Sequence, residues 1–208
     1  MLHKQTAKLI AVIAQNMPEM SSDAMQRYIN DPKGVQILLR KVFLTFPILM
    51  TVKLGTGLIT DTDFLLAFER QWFRRLYMGS DAMYMIRHRA FKVAEQLIEV
   101  SIVTPSVAEL GFKKGARYAD ICDTGVSMGY DLCSAELGPQ LRLQYKKQPK
   151  GDSLWLAMER ICSGEPPMSR SYVFHLKRDA GGRYFYGDVV DADTFFDADV
   201  RFVFVCRK

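Results

Sequence analysis

Hydrophobic residues recur at three- and four-residue spacing through the first fifty positions, a pattern that predicts helices. The first predicted helix covers residues 6–16, and a short second helix begins after Ser21 or Ser22, either of which can cap it. Pro32 marks the start of a third helix, because proline is favoured at the first helical position. We therefore expect residues 1–49 to form a helical N-terminal segment.

The glycine-containing stretch 53–57 is predicted to connect this segment to a second domain, residues 50–208. A longer helix is expected to begin at Thr60 or Asp61, with an apolar stripe facing a core. That stripe consists of Leu65, Phe68, Trp72 and Leu76. Another helix is predicted over 116–128, where Gly129 is suited to a left-handed terminating position.

The alternation of apolar and polar residues from about Leu97 onward predicts strands. The residues between Asp179 and Gly182 are typical of a hairpin loop between two of them. The predicted strands are 98–102, 141–145, 154–161, 172–176, 183–186 and 201–206. Consecutive strands with short connections indicate an α+β fold with a mainly antiparallel sheet of about five strands.

Composition places the chain among ordinary globular proteins, since 49% of its 208 residues are hydrophobic and 25% are charged. The net charge is +5, and its distribution is uneven. Residues 1–104 carry 13 basic and 9 acidic side chains, whereas residues 105–208 carry 15 and 14. This excess permits contact with nucleic acid without requiring it, because no run of like charges is present.

The apolar stretch 42–59 is interrupted by Pro47, Lys53 and Gly55, so no transmembrane segment is predicted. The N-terminus lacks the apolar core of a signal peptide, and we expect a cytoplasmic protein with reduced thiols. The cysteines form no C-x-x-C pair and the histidines are far apart, which argues against structural zinc. Buried, unreactive thiols are favoured for Cys122, Cys133, Cys162 and Cys206.

Several segments resemble a family of uncharacterised proteins from environmental, largely uncultivated bacteria. They include Val107-Ala108-Glu109-Leu110-Gly111-Phe112, Gly129-Tyr130-Asp131-Leu132-Cys133, and the stretches 138–145 and 197–205. Similar agreement near the start covers 20–26 and 52–57, whereas 71–89 departs from the family pattern. The resemblance implies a bacterial cellular protein with one inherited architecture. It implies no catalytic residue and no cofactor.

The strongest candidate for a binding site is a basic and aromatic stretch within residues 70–92. Guanidinium groups beside aromatic rings suit a phosphate backbone or an unstacked base. The candidate residues, for nucleic acid or another anion, are Arg70, Trp72, Arg74, Arg75, Arg87 and Arg89. The alternative, favoured on general grounds, is an amphipathic helix with its aromatic residues in the core and its arginines in water.

Two other patterns point to ligands less specifically. The acidic run from Asp188 to Asp199 could hold a divalent cation, but a solvated loop is favoured because the run lacks the pattern of a calcium-binding loop. Gly55-Thr56-Gly57 lacks the spacing of a phosphate-binding loop and is interpreted as a connector. No metal site is predicted.

No nucleophile motif stands out, because the chain contains no G-x-S-x-G sequence. Cys133 with His175 is a chance pairing of residue types, and Glu159 and His175 are expected on the solvent face of the sheet. Three functional hypotheses remain open. The first is a non-catalytic interaction or accessory protein with a protein partner, the second a nucleic-acid-binding protein, and the third an enzyme without a recognisable motif.

Overall fold

A computed structural model describes residues 4–32, 34–35, 46–71, 75–164 and 169–207. The chain divides into two compact units, Met1–Phe43 and Leu44–Lys208. The first contains helices α1 (Lys4–Gln15) and α2 (Ser22–Asn30), and the Ser21 side chain caps α2 by accepting a hydrogen bond from the Ala24 amide. The third predicted helix lies outside the described residues beyond its first positions. The predicted domain boundary at residue 49 stays a prediction.

The second unit is built on a mixed sheet to which nine of the described strands belong. The central path runs β1-β3-β11-β6-β8-β9-β2, with β5 beside β11 and β7 beside β8, while β10 pairs with β4 separately. The strands are β1 (Ile48–Leu54), β2 (Leu76–Met78), β3 (Ile98–Val103), β4 (Ala116–Arg117), β5 (Tyr130–Asp131), β6 (Ser153–Leu156), β7 (Ile161–Ser163), β8 (Arg170–Arg178), β9 (Arg183–Val189), β10 (Phe195–Phe196) and β11 (Arg201–Cys206).

The α+β class is confirmed. The sheet has more than the expected five or so strands, and it is mixed rather than antiparallel throughout. Most neighbouring strands are antiparallel, whereas β11 pairs with β6 and β2 pairs with β9 in parallel. These two parallel pairs join strands that are far apart in the sequence. Alternation within a short strand carries no information about such distant neighbours, so the sequence pattern could not reveal them.

Four helices accompany the sheet in the described part of this unit: α3 (Asp61–Glu69), α4 (Ser80–Arg87), α5 (Tyr118–Ser127) and α6 (Leu137–Gln144). The strand predicted over 141–145 is wrong, because these residues belong mainly to α6. The pattern misleads because Gln140 and Arg142 are buried along with Leu141, so the apparent alternation does not separate a buried face from an exposed one.

The predicted helix containing Leu65, Phe68, Trp72 and Leu76 is shorter than expected. It begins with a capping box formed by Thr60 and Asp63, and it ends at Glu69. Leu76 lies in β2 and pairs with Arg183 rather than continuing the helix. The preceding residue, Arg75, has a φ of +54°, a left-handed conformation that is incompatible with a continuing helix.

The core lies on both faces of the sheet, where Gly138 of α6 packs against Phe174 and Gly125 of α5 packs against Phe204. Its fully buried members include Phe64, Met85, Ile121, Phe174 and Phe204. The strand predicted over 154–161 is interrupted, with β6 ending at Leu156 and β7 starting at Ile161. Among the described residues, no helix is long and apolar enough to cross a membrane.

Candidate functional site

The structure separates the described members of the predicted basic site. Arg70 is exposed just beyond α3, and Arg89 is exposed beyond α4. Arg87 forms an ion pair with Asp61, with 2.9 Å between Arg87 Nε and Asp61 Oδ2. Arg75 lies elsewhere, in the lining of a cavity. Trp72 and Arg74 lie outside the described residues.

The cavity that contains Arg75 is strongly basic. Its volume is about 440 Å³ and it is open to solvent. The lining consists of Arg75, Lys146, Lys150, Arg178, Asp179, Ala180, Gly182 and Arg183. Five of these side chains are cationic, and Asp179 is the one carboxylate among the described lining residues. The cavity therefore concentrates positive charge that its own lining does not neutralise.

One wall of the cavity is the hairpin that joins β8 to β9. Arg178 and Arg183 are paired across the strands at the hairpin end. The Asp179 carboxylate accepts hydrogen bonds from the Gly181 and Gly182 amides at 2.7 and 3.2 Å. This interaction closes the turn, as the sequence predicted for 179–182. The single acidic group of the lining is thus engaged by the loop backbone.

A second wall is the loop between α6 and β6, which carries Lys146 and Lys150. Arg178 holds this loop to the sheet, because its Nη1 donates to the Gln148 carbonyl oxygen at 2.6 Å. The backbone adds two further hydrogen bonds, from the Gly151 amide to the Arg178 carbonyl and from the Arg178 amide to the Asp152 carbonyl. The position of the two lysines therefore follows from backbone contacts with β8.

The third wall is formed by Arg75 at the start of β2. Its carbonyl oxygen accepts a hydrogen bond from the Arg183 amide at 2.8 Å. Gly182 permits this approach, because a Cβ atom at that position would lie 2.5 Å from the Arg75 oxygen. The left-handed φ of Arg75 is uncommon for a residue with a side chain. Close backbone packing thus holds Arg75 beside the hairpin.

Arg142 adds a buried positive charge that repels the charges of Arg178 and Arg183. Its side chain is completely buried, and it donates to the Gln148 side-chain oxygen and the Tyr145 carbonyl. Its Nε has no hydrogen-bond partner among the described residues. Burial, followed by the charges of Arg183 and Arg178, lowers the pKa of Arg142 from 12.5 to about 9. Buried arginines are normally paired with a carboxylate, and this one is bound by neutral oxygens.

Two tyrosines lie against the hairpin loop. A Cβ atom on Gly182 would lie 2.8 Å from the Tyr77 ring, and one on Gly181 would lie 2.6 Å from the Tyr184 hydroxyl. The rings of Tyr77 and Tyr184 are stacked with centroids 5.2 Å apart, and Tyr186 extends the stack at 5.7 Å from Tyr184. The hairpin that lines the cavity therefore contacts an aromatic ladder, whose rings lie on the face of the sheet opposite Arg178 and Arg183.

The other sequence candidates occupy separate places. Cys133 is buried, and burial raises the pKa of its thiol well above the usual value, so a thiolate there is disfavoured. His175, expected on the solvent face, is only 9% exposed. Glu159 is exposed and lies between β6 and β7 rather than in a strand.

The cysteines divide into two groups. Cys122 and Cys133 are buried as expected, whereas Cys162 is exposed and Cys206 is half-buried. The expectation of burial for Cys162 was wrong because β7 turns this residue away from the core that contains Ile161. All four thiols are free.

The acidic run is distributed over several interactions. Asp188 contacts His175, and Asp193 forms an exposed ion pair with Arg117 at 3.1 Å. Among the described residues, no group of three or more His, Cys, Asp or Glu side chains is arranged to hold a metal ion.

Sequence reasoning missed four of the five cations in the cavity: Lys146, Lys150, Arg178 and Arg183. Arg178 and Arg183 flank the predicted hairpin loop, so their proximity could have been inferred from the turn. The proximity of Lys146 and Lys150 to these arginines could not have been inferred, because 141–145 was expected to be a strand.

No family model, curated protein or solved structure matches the chain.

Proposed function

We propose that this protein binds a phosphate-bearing ligand in the basic cavity. The observation that carries the proposal is the convergence of five cationic side chains around one carboxylate that the hairpin amides already engage. Phosphate oxygens accept several charge-assisted hydrogen bonds at once, and arginine and lysine are their usual partners. A bound phosphate would supply the negative charge that the lining lacks.

The buried Arg142 supports the same interpretation. A charged guanidinium inside a protein is costly unless an opposite charge compensates it. Asp152 acts favourably on Arg142, but its carboxylate also accepts hydrogen bonds from Gln148 and Arg201. An anion in the cavity would reduce the mutual repulsion of Arg142, Arg178 and Arg183. Binding should therefore stabilise the folded protein.

A phosphate-bearing ligand is compatible with the nucleic-acid hypothesis, but the proposal assigns binding to a largely different set of residues. Arg75 is retained from the sequence-based set, and the other cavity cations replace Arg87 and its exposed neighbours. The phosphate can belong to a small molecule or to a nucleic-acid backbone.

The first experiment measures inorganic pyrophosphate binding by calorimetry, with a charge-matched comparison. Lys146 and Lys150 are exposed lining residues, so their replacement by Gln should leave the fold intact. We expect K146Q/K150Q to weaken binding at least about tenfold, since each charge-assisted contact contributes roughly 1 kcal/mol or more. The control K113Q/K114Q has the same net charge and removes two exposed lysines outside the cavity lining. Equal loss in both double variants, or no binding by the wild type, would contradict the proposal.

A second arm distinguishes the two sources of phosphate. Fluorescence anisotropy with a labelled single-stranded oligothymidine tests a nucleic-acid backbone, and pyrophosphate serves as competitor. A nucleic-acid ligand predicts that the slope of log affinity against log salt decreases by about 1.4 in K146Q/K150Q, because two phosphate contacts are lost. Tight pyrophosphate binding without oligonucleotide binding would assign the cavity to a small phosphorylated molecule.

A further inference from the structure

A continuous hydrogen-bonded chain of Ser153, His175 and Asp188 crosses three strands of the sheet. The Oγ of Ser153 lies 2.6 Å from Nε2 of His175. On the other side of the ring, Nδ1 of His175 lies 2.7 Å from Oδ2 of Asp188. The connectivity is that of a nucleophile, a general base and an orienting carboxylate.

The strand register explains why these side chains meet. His175 is paired with Trp155 on β6 and with Tyr186 on β9. Ser153 is two residues before Trp155, and Asp188 is two residues after Tyr186, so all of these side chains share one face of the sheet. Ser153 and Asp188 are diagonal neighbours of His175 in opposite directions, matching the two nitrogens of its ring.

The surroundings hold the imidazole in one orientation. Trp155 stacks on the His175 ring with centroids 4.2 Å apart and an interplanar angle of 8°. The His175 side chain is 11% exposed and that of Asp188 is 40% exposed. An ionised Asp188 accepts a hydrogen bond from Nδ1–H, which leaves Nε2 free to accept a hydrogen bond from the Ser153 hydroxyl. Ser153 itself is half-buried.

A positive charge lies next to the hydroxyl. Lys177 is the direct cross-strand partner of Ser153 and is exposed on the same face. Side chains in such a pair are neighbours, which places an ammonium group within reach of an oxygen bound at Ser153. A cation at that position stabilises negative charge that develops on a carbonyl oxygen under attack.

We propose that Ser153 is the nucleophile of an acyl-transfer site that hydrolyses carboxylic esters. The Ser153 oxygen attacks the ester carbonyl while His175 takes its proton, and the C–O bond to the alcohol breaks as His175 returns that proton to the leaving alkoxide. Water then attacks the acyl-serine through the same base, which releases the carboxylic acid and restores the hydroxyl. Asp188 is a positioning residue that orients the ring and stabilises its protonated form. This activity is independent of phosphate binding in the basic cavity.

The experiment uses a fluorophosphonate probe on the full chain, followed by intact and peptide mass spectrometry. In the labelling step the Ser153 oxygen forms a bond to phosphorus, the P–F bond breaks, fluoride leaves and His175 takes the proton. We expect one adduct, located on Ser153, with a rate reduced about 100-fold or more in H175Q. The matched control S171A removes another half-buried serine, on β8, whose hydroxyl contacts Cys162 rather than a histidine. It should label at the wild-type rate.

Asp188→Asn tests the positioning role separately. It should slow labelling at least about tenfold and move the midpoint of the rate-against-pH curve to lower pH, because the carboxylate no longer stabilises the imidazolium. A purely structural role for the chain predicts no selective adduct on Ser153, or the same labelling rate in wild type and H175Q. Either result overturns the proposal. Peptide mapping of the wild-type adduct identifies the labelled residue directly, so the test does not require a Ser153→Ala variant that folds.

Discussion

Arg142 and Arg75 are the residues whose local environments are hardest to explain by stability alone. Arg142 is fully buried without a carboxylate among its hydrogen-bond acceptors, and Arg75 adopts a left-handed backbone conformation. Both features carry a free-energy cost of roughly 1 kcal/mol or more. Costs of this kind are concentrated at functional sites, and here both lie in or next to the basic cluster.

The cysteines provide a prediction at the same scale. At pH 8, iodoacetamide should modify Cys162 before Cys122 and Cys133, because Cys162 is exposed. Burial raises the pKa of Cys122 from 9.0 to about 11, so the folded protein keeps this thiol protonated. The contribution of the neutral thiol to stability is complete below pH 9 and is lost as the pH rises from 9 to 11.

The measurement is a time course of native alkylation followed by peptide mass spectrometry. The urea-unfolded protein, in which all four cysteines should react at similar rates, provides the comparison. Native modification of Cys122 or Cys133 at the rate of Cys162 would contradict the burial described here.

At the scale of elements, the hairpin between β8 and β9 determines the shape of the cavity. Replacement of Gly182 by Ala should destabilise the protein by about 1–3 kcal/mol and weaken phosphate binding, because the new methyl group meets the Arg75 backbone at 2.5 Å. Gly181→Ala is the matched control in the same loop. Its methyl group meets the end of the Tyr184 side chain at 2.6 Å, which can move, so the cost should stay below about 1 kcal/mol.

Urea unfolding of both variants measures the difference directly. A cost for Gly182→Ala no greater than that for Gly181→Ala would show that the contact with Arg75 is not close. It would also mean that packing against Gly182 does not hold Arg75 in place.

The elements that sequence patterns predicted correctly are those with local signals. Strand β3, the hairpin at 179–182 and the left-handed Gly129 follow from alternation, turn residues and a helix terminator. Helix α6 was missed because Gln140 and Arg142 are polar yet buried. Burial of this kind depends on tertiary partners such as Gln148, which no local pattern contains.

At the scale of the whole molecule, the distribution of charge along the sequence differs from its distribution in the folded structure. Most of the net positive charge lies in residues 1–104, which is where the sequence predicts the basic site, Arg70–Arg89. In the structure, four of the five cavity cations come from the nearly neutral second half. Folding brings those cations together, whereas Asp193 and Asp131 of the same half form ion pairs with Arg117 and Arg207. The candidate site is therefore formed by the way the chain folds and not by a local cluster of charges in the sequence.

The central claim is that phosphate binds in the cavity bounded by Arg75, the loop before β6 and the hairpin after Arg178. The most direct measurement is a titration of ¹⁵N-labelled protein with inorganic pyrophosphate, followed by amide chemical shifts. We predict saturable shifts at Lys150, Asp179 and Gly182, with small changes at Arg87, Arg89 and Lys113. Saturable shifts confined to those last three residues, or no saturable shift anywhere, would contradict the account.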